Sequence, residues 1–240
     1  MRYYFRNNRI ILIGDTHDTT SVHNILNIDI PDGNDVLHVG DVGLGFGFPD
    51  LAMENAGEWL RRFNNLCKTL DINLFLTIGN HDNPEVWKFP NQSNVFMLKS
   101  GDVGIFPNGK KALLIGGGLS VDRFKRTEGF DYWRDEVTPR LDTVEKCDIM
   151  FSHDCPEHFN HSTKSLPSNY GWYCERDVTL IDDALKQRLN MSDIVKRSGI
   201  KTMFYGHMHN TLCQNVDGVY ARCLDINERY EFDAEKDYCL

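Results

Sequence analysis

The chain has 240 residues, a net charge of −9 and a hydrophobic fraction of 41%, enough to bury a sizeable core within a single domain spanning residues 1–240. No apolar run reaches bilayer length and residues 1–15 lack a signal-peptide layout, so a soluble cytoplasmic protein without a membrane partner is expected. The acidic balance weighs against a nucleic-acid partner, which needs clustered Lys and Arg.

The seven cysteines are scattered and odd in number, with no C-x-x-C pair. This excludes a disulfide framework and a zinc knuckle as first readings.

In chain order, "RIILIGDTH" opens a series of short apolar runs that end in Gly followed by Asp, Asn or His. Each has the length of a strand buried on both faces. "TTSVHNILN" follows as a helix that Asp15 is placed to cap. The second run is "DVLHVGD". A long amphipathic helix, "PDLAMENAGEWLRRFNNLCKTL", then puts Ala56, Trp59, Leu60, Phe63, Leu66 and Leu70 on one face. Next come the strands "INLFLTIGNHD", "KKALLIGGG" and "CDIMFSHD". Residues 155–178 read as a long polar excursion of the kind that is often functional. "VTLIDDALKQRLNMSDIVKRSG" is a second long helix. Its expected core face is Ile181, Ala184, Leu185 and Leu189, with Gly199 as C-cap. "KTMFYGHMH" is the last run of the series, and "TLCQNVDGVYARCLD" reads as a hairpin around Asp217-Gly218. The order predicts an α/β fold with mixed sheets, whose site forms in the loops at the carboxyl ends of the strands.

Those loops hold Asp15 and His17, Asp41, Asn80, His81 and Asp82, His153, and His207 and His209. Singly, each has a plain reading as a cap or turn residue. Together they supply carboxylate, amide and imidazole donors, which suit divalent first-row metals such as Mn, Fe, Ni or Zn. One bridging carboxylate can hold two ions about 3.5–4 Å apart. Two aspartates against two such ions leave a net positive site that attracts phosphate.

"GDTH", "GD", "GNHD", "SHDCP" and "GHMH" resemble, in order and approximate spacing, the motifs of the calcineurin-like metallophosphoesterase superfamily, from residue 11 to residue 210. The resemblance implies a sandwich of two mixed β-sheets flanked by helices, with two metals at the strand ends. It implies that Asp15, His17 and His209 hold one ion, that Asn80, His153 and His207 hold the other, and that Asp41 bridges them. By the same resemblance His81 lies beside the scissile phosphate, stabilising charge or protonating the leaving group, and Asp82 orients its ring. The activity implied is hydrolysis of a phosphodiester or phosphomonoester by a metal-bridging hydroxide, with Mn the favoured ion and a small phosphate ester or nucleotide the substrate. A Ser/Thr-type phosphoprotein phosphatase and a metal-free, non-catalytic scaffold of the same fold are the alternatives.

The second block departs from the protein-phosphatase pattern. "GDVGLGFG" stands where those enzymes resemble "GDxVDRG", and the phosphate-binding arginine is absent. The glycines of "GLGFGFPD" indicate either a closely packed or mobile loop beside Asp41, or a plain linker. The segment "IGGGLSVDRFKRTEGFDYWRDE" is similar to a stretch found in a bacterial and phage branch of the superfamily. It is read as a substrate-side wall in which Arg126 grips phosphate and Trp133 either stacks on a base or packs as core. His158 and His161 are read as residues of a solvated loop, His38 as a structural histidine within its strand, and Cys155 as a thiol with no base to activate it.

Overall fold

In the computed structural model, residues 1–27, 30–31, 33–47, 53–159, 170–236 and 238 are described. The first strands, β1 (Arg2–Tyr4) and β2 (Arg9–Ile13), lead to helix α1 (Thr19–Asn27), strand β3 (Asp35–His38) and helix α2 (Met53–Thr69). Next come β4 (Asn73–Leu76), β5 (Val95–Met97), β6 (Asp102–Ile105), β7 (Lys111–Ile115) and β8 (Ile149–Ser152). Helices α3 (Tyr170–Arg176) and α4 (Leu180–Ser198) precede β9 (Thr202–Tyr205), β10 (Leu212–Val216), β11 (Val219–Cys223) and β12 (Arg229–Asp233).

Two mixed sheets result. One runs β12-β2-β3-β4-β5, with β12 antiparallel to β2 and the others parallel. The other runs β1-β6-β7-β8-β9-β11-β10, in which β7, β8, β9 and β11 are parallel. All the glycine-ended runs are strands of these sheets, and each of those strands is buried on both faces. On β2, Ile10 and Leu12 join Phe75, Phe151, Phe204 and Phe232 in the layer between the sheets, while Ile11 and Ile13 pack outward against α1 and α2. Side chains alternate along a strand, so an uninterrupted apolar run is what a strand covered on both sides requires.

Helix α2 buries Ala56, Leu60 and Phe63, with Trp59, Leu66 and Leu70 packed at the margin, the face its spacing predicts. Asp217 and Gly218 both have positive φ, 52° and 78°, and turn β10 into β11 as the hairpin signal requires. Helix α1 is capped by Asp18, not Asp15: the Ser21 N–H donates to Asp18 Oδ1 at 2.7 Å and its hydroxyl to Oδ2 at 2.7 Å. That frees Asp15 for the strand-end cluster.

Helix α4 corrects the expected face. It buries Leu180, Gln187, Met191, Ile194, Val195 and Ser198, whereas Ile181, Leu185 and Leu189 are 56%, 44% and 51% exposed. Its C-terminal half covers the seven-stranded sheet through Met191, Ile194 and Val195. Its N-terminal half is set by Gln187, whose amide bonds Thr138 and Asp154. Gly199 ends the helix at φ +72°, its N–H donating to Val195 C=O at 3.0 Å. No helix among the described residues is long and apolar enough to cross a membrane.

Candidate functional site

The carboxyl ends of β2, β3 and β4 in one sheet and of β8 and β9 in the other meet at one edge of the sandwich. The loops there bring together all seven residues expected at the metals. Asp15, His17, Asp41 and His209 each offer a ligand atom within 4.8 Å of the others, and so do Asp41, His153 and His207. Asp41 belongs to both groups. Asn80 joins the second, its Oδ1 lying 3.0 Å from His153 Nε2.

The backbone is bent to make this convergence. His17, Asp41, His207 and His209 have φ of 58°, 58°, 64° and 49°, in the left-handed region that costs a non-glycine residue on the order of 1–3 kcal/mol. Gly79 and Gly206 show why the motifs need glycine. A Cβ on Gly79 would strike Asp41 Oδ1, and one on Gly206 would strike Asp15 Oδ1.

Backbone groups then aim the carboxylates. The His81 N–H donates to Asp41 Oδ1 at 2.7 Å, and the His207 N–H donates to Asp15 Oδ2 at 2.9 Å. His153 Nδ1 donates to Val39 C=O at 3.1 Å, which leaves Nε2 facing Asn80 and Asp41. His38 is structural, as expected: its ring bonds Thr16 Oγ1 at 3.1 Å, and burial lowers its pKa to about 4.

The charges are set by proximity. Burial works against an ionised His153, but Asp41 at 3.2 Å and Asp15 at 3.8 Å outweigh it and raise its pKa to about 10. Burial likewise opposes ionised Asp41, yet His153 and His81 hold it well below the ordinary carboxylate range. His17 Nε2 and His209 Nε2 face each other at 2.9 Å. Two imidazole nitrogens and two carboxylates turned toward one point form a donor set that fits a divalent cation, and the shared carboxylate fits a pair.

His81 and Asp82 part company, and here the expected role of Asp82 is corrected. Its buried carboxylate accepts the N–H groups of Val42, Gly43, Leu44 and Gly79. It is thereby committed to the loop after Asp41 rather than to the imidazole. Burial and Asp41 push its pKa up to about 7. The ring of His81 is held by other groups: Phe46 stacks on it at 4.6 Å, and Arg126 Nη2 lies 2.8 Å from its Nε2. A guanidinium can only donate, so Nε2 accepts and the ring's single proton sits on Nδ1, 2.8 Å from His17 Nδ1. Burial, together with Arg126 and His17, lowers the His81 pKa to about 3.

Arg126 lines the cleft beside Asp41, Asn80, His81, His207 and His209, in a cavity of about 220 Å³. Most of its donors are already engaged. Nη1 bonds Ser120 Oγ at 3.0 Å and Asp131 C=O at 3.3 Å, and Nη2 also contacts Asp122 at 2.7 Å. Trp133 is buried near Phe46. Cys155 is fully buried, and burial raises its thiol well above the ordinary range, which leaves it no nucleophilic form. His158 packs on Phe159 and lies 3.8 Å from Asp217, away from the cleft. His161 and much of the 155–178 excursion lie outside the described residues.

Several site residues, or the contacts they make, were not visible in the sequence; Glu136 was marked only as part of the wall segment. Phe46 was hidden in a glycine-rich loop. Glu136 accepts from the Ser120 N–H at 2.6 Å and hydroxyl at 3.0 Å, and Ser120 Oγ in turn receives the Asn80 amide at 3.1 Å. This chain fixes which end of Asn80 faces the cluster. Burial raises the Glu136 pKa to about 7. Tyr173 and Arg188 also line the cavity. No local signal marks them, because they arrive from α3 and α4.

No curated protein matches the sequence significantly. One crystal structure is 14% identical, covers 91% of each chain and superposes with a TM-score of 0.51, a likeness of fold alone. A phosphopantetheinyl hydrolase from Mycobacterium tuberculosis is also 14% identical and covers 92% of this chain and 91% of its own. Its TM-score is 0.34. The family profile described as calcineurin-like phosphoesterase matches residues 8–211. That match begins just before the first strand of the five-stranded sheet and ends just beyond His209, and on this ground the chain belongs to the calcineurin-like phosphoesterase family.

Proposed function

We propose that the protein hydrolyses small phosphate esters at a centre of two divalent ions, with manganese the favoured metal. The observation that carries this reading is the pair of donor groups sharing Asp41 at the floor of a cleft. Asp15, His17, Asp41 and His209 would hold one ion, and Asp41, Asn80, His153 and His207 the other. When bound, such ions supply Lewis acidity toward a phosphoryl oxygen and lower the pKa of water.

The chain's own residues do the rest. The backbone N–H groups of His81 and His207 fix the two aspartates, and the contact of His153 with Val39 orients its ring. His81 is held as a neutral ring, its Nε2 accepting from Arg126 and its Nδ1–H facing His17 Nδ1, so donation to phosphate exchanges the His17 nitrogen for a phosphate oxygen. A pKa near 3 argues for hydrogen bonding to charge developing on phosphate rather than for a standing positive charge. Arg126 holds that ring from behind, and Phe46 covers its face against water. The cavity, about 220 Å³, is smaller than the roughly 300–1,000 Å³ of pockets for drug-sized ligands. A compact ester or part of a nucleotide fits it better than a nucleic-acid strand or a folded phosphoprotein.

The test is a panel of monoester, diester, nucleotide and phosphopeptide substrates. It is run on metal-stripped protein reloaded with Mn, Fe, Zn, Ni or Mg. Turnover of the small esters that requires added metal and is fastest with Mn is expected. Two bound ions without turnover of any substrate would make the protein a scaffold, and turnover of phosphopeptide alone would make it a protein phosphatase.

A further inference from the structure

Two guanidinium groups line the cleft, and their surroundings differ. Arg126 comes from the segment after β7. It is tied to His81, Ser120 and Asp131 and paired with Asp122. Its charge is offset and its donors serve the wall itself. Arg188 comes from α4 and lines the same cavity as Asp41, His207 and His209.

The helix turn that bears Arg188 is docked on the loop after β8. Its C=O accepts the Glu157 N–H at 3.3 Å and the Ser192 hydroxyl at 3.0 Å. Among the described residues no carboxylate pairs with the Arg188 side chain, which is half-buried. A partly desolvated cation in a cleft is stabilised by an anion, and the carboxylates that line the cleft are engaged elsewhere, Asp41 with His153 and Asp122 with Arg126.

Resting on the hydrolase reading above, we propose that Arg188 grips a terminal oxygen of the scissile phosphate and makes the cleft a phosphomonoester site. A monoester presents three terminal oxygens and a dianionic charge. A diester presents two terminal oxygens and one charge, so it offers a guanidinium one oxygen and one negative charge fewer. With more terminal oxygens than a diester, a monoester would leave one for a donor supplied by the chain itself, and a planar guanidinium suits it. Arg126 then serves as a positioning residue for His81, and Arg188 recognises the substrate.

The experiment compares wild type, Arg188→Ala and Arg188→Lys at matched metal content, measured by elemental analysis. Turnover of 4-nitrophenyl phosphate and of bis(4-nitrophenyl) phosphate is followed, and orthophosphate binding to the metal-loaded proteins is measured by calorimetry. Arg188→Ala should lower monoester kcat/KM about 10- to 150-fold, the range for a hydrogen bond to a charged group. Orthophosphate binding should weaken comparably and diester turnover should stay within a few-fold, with Arg188→Lys recovering part of the loss. Equal losses on both esters, unchanged orthophosphate binding, or a fall in metal content in both variants would overturn the assignment. Loaded wild type inactive on both esters would instead sink the hydrolase reading, and orthophosphate calorimetry would still judge Arg188.

Discussion

His81 and Asp82 are adjacent in the chain and answer to different parts of the molecule. The imidazole faces the cleft between Phe46, Arg126 and His17, while the carboxylate turns back and gathers four backbone N–H groups. Removing each should therefore fail differently. Asp82→Ala leaves buried donors unpaired in the loop that carries Asp41. It should cost roughly 2–4 kcal/mol in denaturant unfolding, and metal uptake should fall with it. His81→Ala should keep fold and metals and lose about 100- to 1,000-fold in kcat, the range seen when one donor to developing charge is removed. Wild-type turnover in His81→Ala would remove His81 from the chemistry. Loss of turnover in Asp82→Ala with unchanged stability would restore Asp82 to the catalytic role that the backbone contacts deny it.

At the scale of elements, α2 and α4 show how far periodicity reaches. In α2 the apolar residues form one stripe, so spacing and burial agree. In α4 two stripes compete, Leu180-Met191-Ile194-Val195 and Ile181-Leu185-Leu189, and periodicity alone does not say which one meets the sheet. The choice falls to Gln187, a polar residue that is buried because Thr138 and Asp154 satisfy its amide. Leu185→Gln and Leu189→Gln should then change stability by no more than about 0.5 kcal/mol. Met191→Ala and Ile194→Ala should cost roughly 2–5 kcal/mol. Urea unfolding of the four variants checks this, and the reverse ranking would mean that the exposed stripe is covered in solution.

For the whole molecule, the decisive fact is that two sheets end their parallel strands at one edge, so donors from β2, β3, β4, β8 and β9 share one space. Asp41→Asn should weaken both ions together, measured as metal content after dialysis; loss of one ion alone would end its bridging role. The same convergence makes a proton on His153 stand in for a cation. Its folded pKa, about 10, lies above the ordinary 6.5. The stability it adds to metal-free protein is therefore complete below about pH 6.5 and lost as pH rises through 10. Melting of stripped protein across that window should show the decline. Metal uptake near pH 8 should release a proton, seen as buffer-dependent heat in calorimetry. Whereas the strands β1, β5, β6 and β12 were not written in the sequence, the strands that carry the site, the long helices, the hairpin and the donor types at the strand ends were. Each rests on a local pattern: an apolar run of strand length, a 3.6-residue stripe, a glycine where backbone must pass a carboxylate. The sequence alone could not assign Asp82 to a backbone loop, Arg126 to His81, Phe46 to a ring face or Arg188 to the cleft. Those pairings join groups tens of residues apart, and only the packing of helices and loops on two stacked sheets fixes the distances that choose one partner over another.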